Sequence, residues 1–162
     1  MQLVLNDKQS KALTDRLHLV TVKSGDTVND MGLRLDFFDI LSTKDQQFGC
    51  RITLPSNKVV VYLGDEPYRD PVYDYAKNAD YLLHEAFCLY RDRDLYKPYE
   101  KHHLTAKDAS INATRLKAKN LIMIHTEDVT LAQRISLYTE EARPHFTGPI
   151  YVPDDLEVIT LD

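Results

Sequence analysis

The chain has 162 residues, of which 43% are hydrophobic and 28% are charged, an ordinary composition for a globular protein. Its 20 Lys and Arg residues against 25 Asp and Glu residues give a formal charge of −5, which excludes a generally polybasic nucleic-acid binder, though not a local basic patch. The sequence contains no run of 18 apolar residues, so no membrane span is predicted. Its first residues do not resemble a secretory signal, and the two cysteines form no Cys-x-x-Cys pair. A cytoplasmic protein is therefore expected.

The first half of the chain is predicted to be mainly β-structure. In chain order it contains a short helix at residues 8–16, strands at 18–22, 33–40, 48–54 and 58–63, and a helix from Asp70 to about Asn78. Pro55, Ser56 and Asn57 separate two of these strands and predict a hairpin. Asp70 is predicted as the N-cap of the helix because a proline follows it at the first helical position.

The second half alternates between strands and helices. Its predicted elements are strands at 81–83, 121–124, 150–152 and 156–161, a helix from residue 105 to about 117, and an amphipathic helix at 130–142. Thr105 and Asp108 are spaced as a capping box. An apolar stripe of the last helix joins Leu131 and Ile135 to Tyr138 and Ala142. Strands followed by strand–helix alternation predict a layered α/β fold in one domain, residues 1–162.

Polar residues follow three short apolar strands, at or just past their C-terminal ends. Asp65 follows one strand, His84 and Glu85 the next, and His125 the third. In open α/β sheets, ligand-binding and catalytic groups gather at this edge, and carboxylate with imidazole suits Zn²⁺ or Mn²⁺. Each residue also has an ordinary alternative. Asp65 fits a turn, a lone histidine fits a hydrogen-bonded surface residue, and His103 fits a polar linker.

Four ordered elements carry a family resemblance: Leu63-Gly64-Asp65, Leu83-His84-Glu85-Ala86-Phe87, His103-Leu104-Thr105-Ala106 and Ile124-His125-Thr126. They resemble the C-terminal half of the metallo-β-lactamase fold hydrolases. The resemblance is greatest to the ribonuclease Z branch, the tRNA 3′-processing endonucleases, which has a Gly-Asp, a His-Glu-Ala-Thr, a His-Ser-Thr and a final His in this order. It runs from about Leu33 to the C-terminus. It implies the C-terminal portion of a metallo-β-lactamase-like αββα layered sandwich, without the N-terminal half that carries the metal motif.

The resemblance also implies a role for each matching side chain. Asp65 would bridge two metal ions, zinc or manganese, and His125 would be the last histidine ligand of the second metal. His103 would give a proton to the leaving oxygen, and Glu85 would orient His103, whereas His84 would be structural. Two close metals activate a shared water, and a histidine held by a carboxylate can protonate a leaving group. Asp65, His84 and His125 are therefore expected at one sheet edge, with His103 near Glu85.

The chain departs from the family pattern at its metal ligands. The superfamily signature His-x-His-x-Asp-His is absent. Leu41 or Ser42 stands where a further histidine ligand is expected, and His18 lies too far upstream to fill that place. A milder departure is that Phe87 and Leu104 stand where the branch has Thr and Ser.

These departures set the expected metal content and partners. A catalytic zinc needs about three protein ligands and an open position. With only Asp65 and His125, the isolated chain is expected to hold zinc or manganese poorly, unless the missing ligands are supplied, and to hydrolyse little. Half of a two-sheet core would also expose a large apolar face. The chain is therefore expected to need a partner, which is either the missing N-terminal half or a second copy of itself.

Three functions stay open on the sequence. The first is the C-terminal portion of a ribonuclease Z-like phosphodiesterase. The second is a non-catalytic remnant of the fold that forms a homodimer, which the loss of a histidine near Leu41 favours. The third is a module that binds single-stranded RNA through residues 90–103, where basic residues are interleaved with tyrosines. The alternative for this last stretch is a solvated loop with ordinary ion pairs.

Overall fold

The computed structural model describes residues 20–161, which form one seven-stranded sheet with its strands side by side in sequence order. In chain order the strands are β1 (Thr27–Asp30), β2 (Leu33–Asp39), β3 (Phe48–Thr53), β4 (Val59–Tyr62), β5 (Tyr81–Glu85), β6 (Asn120–Ile124) and β7 (Ile150–Tyr151). Strands β1 to β4 pair antiparallel, and β4 to β7 pair parallel. The predicted α/β class and the β3–β4 hairpin are confirmed.

The connections between the parallel strands carry the helices of the described residues. These are α1 (Tyr73–Ala76), α2 (Arg93–Tyr96), α3 (Ala106–Arg115) and α4 (Arg134–Ala142), with 3₁₀ turns at Asp70–Val72, Tyr90–Asp92, Tyr99–Lys101 and Leu131–Gln133. The predicted capping box begins α3. Oγ1 of Thr105 accepts the N–H of Asp108 at 3.3 Å, and the carboxylate of Asp108 accepts the N–H of Thr105 at 3.1 Å. No helix in residues 20–161 is long and apolar enough to cross a bilayer.

The two faces of the sheet are packed differently. Successive strand residues point to opposite faces, so Val61 and Leu82 join the large core under the helices, while Val60 and Tyr81 point away from it. The second face also holds Ile122, with half-buried neighbours at Ile52, Leu54, Leu83, Ile124 and Tyr151. Strand β6 is buried on both faces, as predicted. The face opposite the helices is therefore apolar but only partly covered.

Predictions for both ends of the chain need correction. The helix at residues 8–16 and the start of the strand at 18–22 lie outside the described residues. Residues 20–22 are not in a strand. The first strand is β1, which follows a tight turn in which the N–H of Asp26 donates to the carbonyl of Lys23 at 3.0 Å. Residues 156–161 are not a strand either. Ile159 and Leu161 instead pack their side chains against the partly covered face of the sheet.

The last helix, α4, is rotated relative to the predicted apolar stripe. Leu131 and Ile135 are 51% and 53% exposed, while the other two members of the stripe are buried. Arg134 is buried in their place, because its guanidinium donates to Oγ1 of Thr126 at 2.9 Å and to Oδ1 of Asp154 at 2.7 Å. A charged side chain with this many partners can be buried at an acceptable cost, which hydrophobic periodicity does not reveal.

The first helix also begins differently from the prediction. Arg69, not Asp70, occupies the N-cap position, and a 3₁₀ turn precedes α1. The carboxylate of Asp70 instead forms an ion pair with Arg115, 2.8 Å away at the end of α3.

Candidate active site

The site is built where three parallel strands end at the same edge of the sheet. Tyr62 of β4 lies opposite Leu83 of β5, and Glu85 of β5 lies opposite Ile124 of β6. Asp65 and His125 follow the ends of β4 and β6, so they lie at the same edge as Glu85. The predicted placement of these residues at strand ends is thus observed.

The segment that carries His103 returns to this edge after α2. A short parallel bridge joins Cys88 to Thr105, and the N–H of Phe87 donates to the carbonyl of Leu104 at 2.9 Å. These backbone contacts hold the segment that follows β5 beside the segment that precedes α3. As a result His103 reaches Glu85, which lies 18 residues away in sequence.

The carboxylate of Glu85 lies between two imidazoles and is fully buried. Its Oε2 is 2.8 Å from Nδ1 of His103 and 3.5 Å from Nδ1 of His125. The centroids of the two imidazole rings are 5.0 Å apart. The other carboxylate oxygen, Oε1, has no hydrogen-bond partner within the described residues. The expected proximity of His103 to Glu85 is therefore present in the structure.

This cluster of Glu85, His103 and His125 offers three metal-ligating atoms within 4.8 Å of one another. Two ligands about 2.0–2.1 Å from a tetrahedral zinc are about 3.3 Å apart. The 2.8 Å between Glu85 and His103 is shorter and is a hydrogen-bond distance. The geometry favours a carboxylate that accepts the Nδ1–H of His103 and contacts Nδ1 of His125, which leaves both Nε2 atoms free to hold a proton or a metal.

The electrostatics of His125 follow from its neighbours. Its contact with Glu85 raises the pKa of His125 above the ordinary value. Partial burial opposes this rise, while the negative charges of Glu85 and Asp65 add to it. His125 is 44% exposed, and its backbone has φ of 53°, a left-handed conformation that few residues other than glycine adopt. His125 is thus an accessible imidazole in the field of two carboxylates.

His84 does not join this cluster, because neighbouring residues of a strand point to opposite faces of the sheet. It is fully buried beneath the helices, where its Nε2 lies 3.1 Å from Nδ2 of Asn112 in α3. Burial lowers the pKa of His84 to about 4. The grouping of His84 with Asp65 and His125 is therefore wrong for the side chain. Its packing supports the structural role that the resemblance implies.

Two acidic residues stand at the end of β4, of which the sequence pattern indicated only Asp65. Asp65 is half-buried, whereas the side chain of the next residue, Glu66, is fully buried. Oε1 of Glu66 accepts a hydrogen bond from Oγ of Ser42 at 2.8 Å and lies 3.7 Å from Nζ of Lys44. The sequence signal that could have indicated Glu66 is that a second carboxylate directly follows Gly64 and Asp65.

Phe87 is a further residue at the site whose role the sequence did not indicate. Its ring stacks on His103, with centroids 4.9 Å apart and planes 30° apart, and lies 6.1 Å from the ring of His125. Nζ of Lys101 lies 5.7 Å above the same ring. Phe87 therefore forms an apolar wall beside both imidazoles, at a position where the ribonuclease Z pattern has threonine.

The tyrosines of residues 90–103 are engaged within the protein. The centroid of the Tyr90 ring is 4.1 Å from the guanidinium of Arg93 and 4.2 Å from Nζ of Lys107. The hydroxyls of the other two pair with carboxylates: Tyr99 with Asp108 at 2.8 Å and Tyr96 with Glu127 at 3.5 Å. These contacts favour the alternative of a solvated loop over an RNA-binding strip.

The donors of residues 20–161 do not suffice for a two-metal centre. The predicted ligands in this part of the chain are Asp65 and His125, because the 2.8 Å contact pairs Glu85 with His103. Leu41, at the place of the expected histidine, has a left-handed backbone with φ of 62° and an apolar side chain that cannot ligate. A catalytic zinc requires about three protein ligands, so further donors would have to come from outside residues 20–161.

Comparisons with known proteins show what the chain as a whole is similar to. No family model matches the chain. It is 31% identical to ribonuclease Z of Bacillus subtilis (strain 168) over 99 residues, which are 61% of this chain and 32% of that protein. It is 28% identical to ribonuclease Z of Bacillus cereus (strain B4264) over 151 residues, which are 91% of this chain and 47% of that protein. The chain thus spans about half or less of the length of these curated relatives.

Solved structures show the same fold. The metallo-β-lactamase fold protein YhfI from Bacillus subtilis matches with a TM-score of 0.69 and 18% identity, over 91% of this chain and 59% of that one. The short form of human tRNase Z matches with a TM-score of 0.58 and 19% identity, over 83% of this chain and 46% of that one. The chain therefore has the metallo-β-lactamase fold, and its sequence is similar to proteins named ribonuclease Z.

Proposed function

We propose that this chain forms the C-terminal portion of a ribonuclease Z-like hydrolase that cleaves phosphodiester bonds in RNA. The observation that carries this proposal is the hydrogen bond between Glu85 and His103, 2.8 Å long, at the sheet edge that also presents Asp65 and His125. The alignment with proteins named ribonuclease Z supports RNA as the substrate. More generally, the fold supports a hydrolase function.

His103 acts as the proton donor in this proposal. Glu85 accepts its Nδ1–H, which fixes the tautomer and orientation of the ring and leaves Nε2 to face the substrate. Held in this orientation, Nε2 of His103 is placed to protonate the oxygen that leaves the phosphorus. Phe87 covers one face of the ring, and His103 is largely shielded from water.

Asp65 and His125 are the proposed metal ligands of this chain. Zinc or manganese ions, when bound, would polarise the phosphodiester and activate a water molecule. Because two residues do not complete a metal site, further ligands would come from the rest of a metallo-β-lactamase fold or from a second copy of the chain. The partly covered apolar face of the sheet supports such a partner. We infer that the chain by itself has little hydrolytic activity.

The test is an assay on bis-p-nitrophenyl phosphate and on a pre-tRNA, with excess Zn²⁺ or Mn²⁺. The chain is assayed alone and after mixing with a separately expressed N-terminal half of Bacillus subtilis ribonuclease Z. We expect turnover only in the mixture, and we expect it to disappear in Asp65→Ala and His103→Ala. The exposed neighbour His102 provides the matched control, His102→Ala. Turnover that survives both site substitutions would contradict the proposed site.

The mixing assay also separates this proposal from the non-catalytic homodimer. A stable dimer that does not bind metal, and that shows no turnover when the N-terminal half of ribonuclease Z is added, would favour a non-catalytic remnant of the fold. Salt-dependent binding of single-stranded RNA in the absence of turnover would instead favour a binding module.

A further inference from the structure

The loop between β2 and β3, residues 40–47, brings a lysine to the site edge. This is the loop in which the family pattern expects a histidine ligand, and it contains Leu41 and Ser42 there. The loop is fixed by its own hydrogen bonds. Oδ1 of Asp39 accepts the N–H of Leu41 at 2.7 Å, and Oγ of Ser42 accepts the N–H of Lys44 at 3.1 Å. Ser42 also donates to Glu66 at 2.8 Å, which ties the loop to the end of β4.

Lys44 supplies the positive charge for the buried carboxylate of Glu66. Nζ of Lys44 lies 3.7 Å from Oε1 of Glu66, whose side chain is fully buried, whereas the side chain of Lys44 is 40% exposed. A buried carboxylate requires such a counter-charge. At 3.7 Å the contact is an ion pair without a direct hydrogen bond. The ammonium group has three N–H donors, so it can still donate to another acceptor from its exposed side.

The ammonium lies beside the residues proposed to act on substrate. Glu66 directly follows Asp65 in the chain. The loop that carries Lys44 joins β2 to β3, and Cys50 of β3 pairs with Tyr62 at the end of β4, so this loop lies at the same edge of the sheet. The edge of the sheet thus combines the Glu85–His103 pair, His125 and a tethered lysine.

We propose that Lys44 binds a non-bridging oxygen of the substrate phosphate and thereby supplies a positive charge that the family pattern assigns to a histidine-held metal ion. The choice of a phosphodiester as the ligand rests on the proposed function. Lysine suits this role because its ammonium is a compact point charge that donates to phosphate oxygens. A divalent cation held at the same place would be repelled by the ammonium, so Lys44 also disfavours a second metal ion there.

The test compares Lys44→Met and Lys44→Arg in the full chain, with the exposed Lys23→Met as the matched control. Binding of dimethyl phosphate is measured by NMR titration in EDTA, which probes the anion site without hydrolysis or metal. We expect the dissociation constant to rise about tenfold in Lys44→Met and to stay within about threefold of the wild type in Lys44→Arg and Lys23→Met.

In a second measurement, the same substitution should change the affinity for a metal ion in the opposite direction. We expect Lys44→Met to raise the affinity for Zn²⁺, measured by calorimetry, because the competing positive charge is removed. A lysine that only balances the charge of Glu66 would change stability in urea and leave phosphate binding unchanged. Unchanged phosphate binding in a folded Lys44→Met would therefore overturn the inference.

The wild-type chain provides a test even if Lys44→Met does not fold. The Hε and Cε resonances of Lys44 should shift on addition of dimethyl phosphate, and the absence of any shift at Lys44 would overturn the inference. Failure of the proposed function gives a different result. A chain that binds the phosphodiester through Lys44 but never gains turnover in the mixing assay retains this anion site without the hydrolase activity.

Discussion

Oε2 of Glu85 and Nδ1 of His103 lie 2.8 Å apart, although one residue ends a central strand and the other lies on a connection that returns from α2. Glu85 is fully buried, and the side chain of His103 is 12% exposed. A charged hydrogen bond in such surroundings is stronger than one in water, and it fixes which nitrogen of the ring carries the proton. The pair therefore presents Nε2 of His103 in one orientation.

Substitution of Glu85 by glutamine tests this orientation. The amide keeps the shape of the side chain but removes the negative charge that holds the imidazole. We expect the Nδ1–H resonance of His103 to move upfield or broaden in Glu85→Gln. Turnover in the mixing assay should fall by about 10²–10⁴-fold, the usual size of a general acid–base contribution. Glu140→Gln, on the exposed side of α4, is the matched control and should change neither quantity.

His84 predicts a specific dependence of stability on pH. Burial lowers its pKa from 6.5 to about 4, so the unfolded chain binds a proton at His84 in a pH range where the folded chain does not. The stability that comes from a neutral His84 is present above about pH 6.5 and is lost as the pH falls towards 4. The full loss is about 3 kcal/mol. Urea unfolding at pH 7 and pH 5 should show a clear decrease for the wild type.

A glutamine variant separates this contribution from the other titrating groups. His84→Gln cannot gain a proton, so its free energy of unfolding should depend less on pH between 7 and 5 than that of the wild type. The exposed His102→Gln should keep the wild-type dependence. Equal pH dependence in His84→Gln and the wild type would show that other groups dominate acid unfolding.

Elements specified by local signals could be predicted from the sequence. Thr105 and Asp108 form the expected capping box because both groups lie within one helical turn. The expected edge positions of Asp65, Glu85 and His125 follow from the shared direction of parallel strands. Features specified by distant partners could not be predicted. The burial of Arg134 depends on residues 8 and 20 positions away, and the burial of Glu66 depends on a loop 24 positions upstream.

The candidate site also contains some features that the sequence predicted and others that it did not. The resemblance to the ribonuclease Z branch implied the pairing of Glu85 with His103, and the structure shows that contact. It did not predict that Phe87 stacks on His103 or that Lys44 approaches Glu66, since both contacts depend on how loops cross the sheet edge. It also grouped His84 with the site, because proximity in sequence does not show which face of a strand a side chain occupies.

Thr105 is predicted to act through the helix it caps. Its side chain is buried, and the capping box satisfies backbone donors at the start of α3. Thr105→Ala should lower the free energy of unfolding by about 1 kcal/mol, while Thr105→Ser should keep most of the stabilisation that the cap provides. Thr43→Ala, at an exposed loop position, is the control. Urea unfolding measures all three. An equal loss in the serine variant would show that the methyl group, not the cap, is what matters.

The last prediction concerns the apolar face of the sheet that lies opposite the helices. Val60, Tyr81 and Ile122 form its centre, and half-buried side chains such as Ile52 surround them. Soluble proteins rarely leave such a patch open, and a stable interface buries about 1,200–2,000 Å². We expect the chain to self-associate through this face when no other half of the fold is present. Sedimentation equilibrium at micromolar concentration should show a dimer or larger species.

A charge placed on this face should prevent the association without unfolding the chain. Ile52→Lys is expected to sediment as a monomer with an unchanged circular dichroism spectrum, because the half-buried position lets a long side chain reach water. Leu95→Lys is the control, since Leu95 is 76% exposed and does not belong to this cluster. A compact wild-type monomer would contradict the prediction. It would mean that contacts of the C-terminal segment, through Ile159 and Leu161, cover the face well enough for the chain to remain alone.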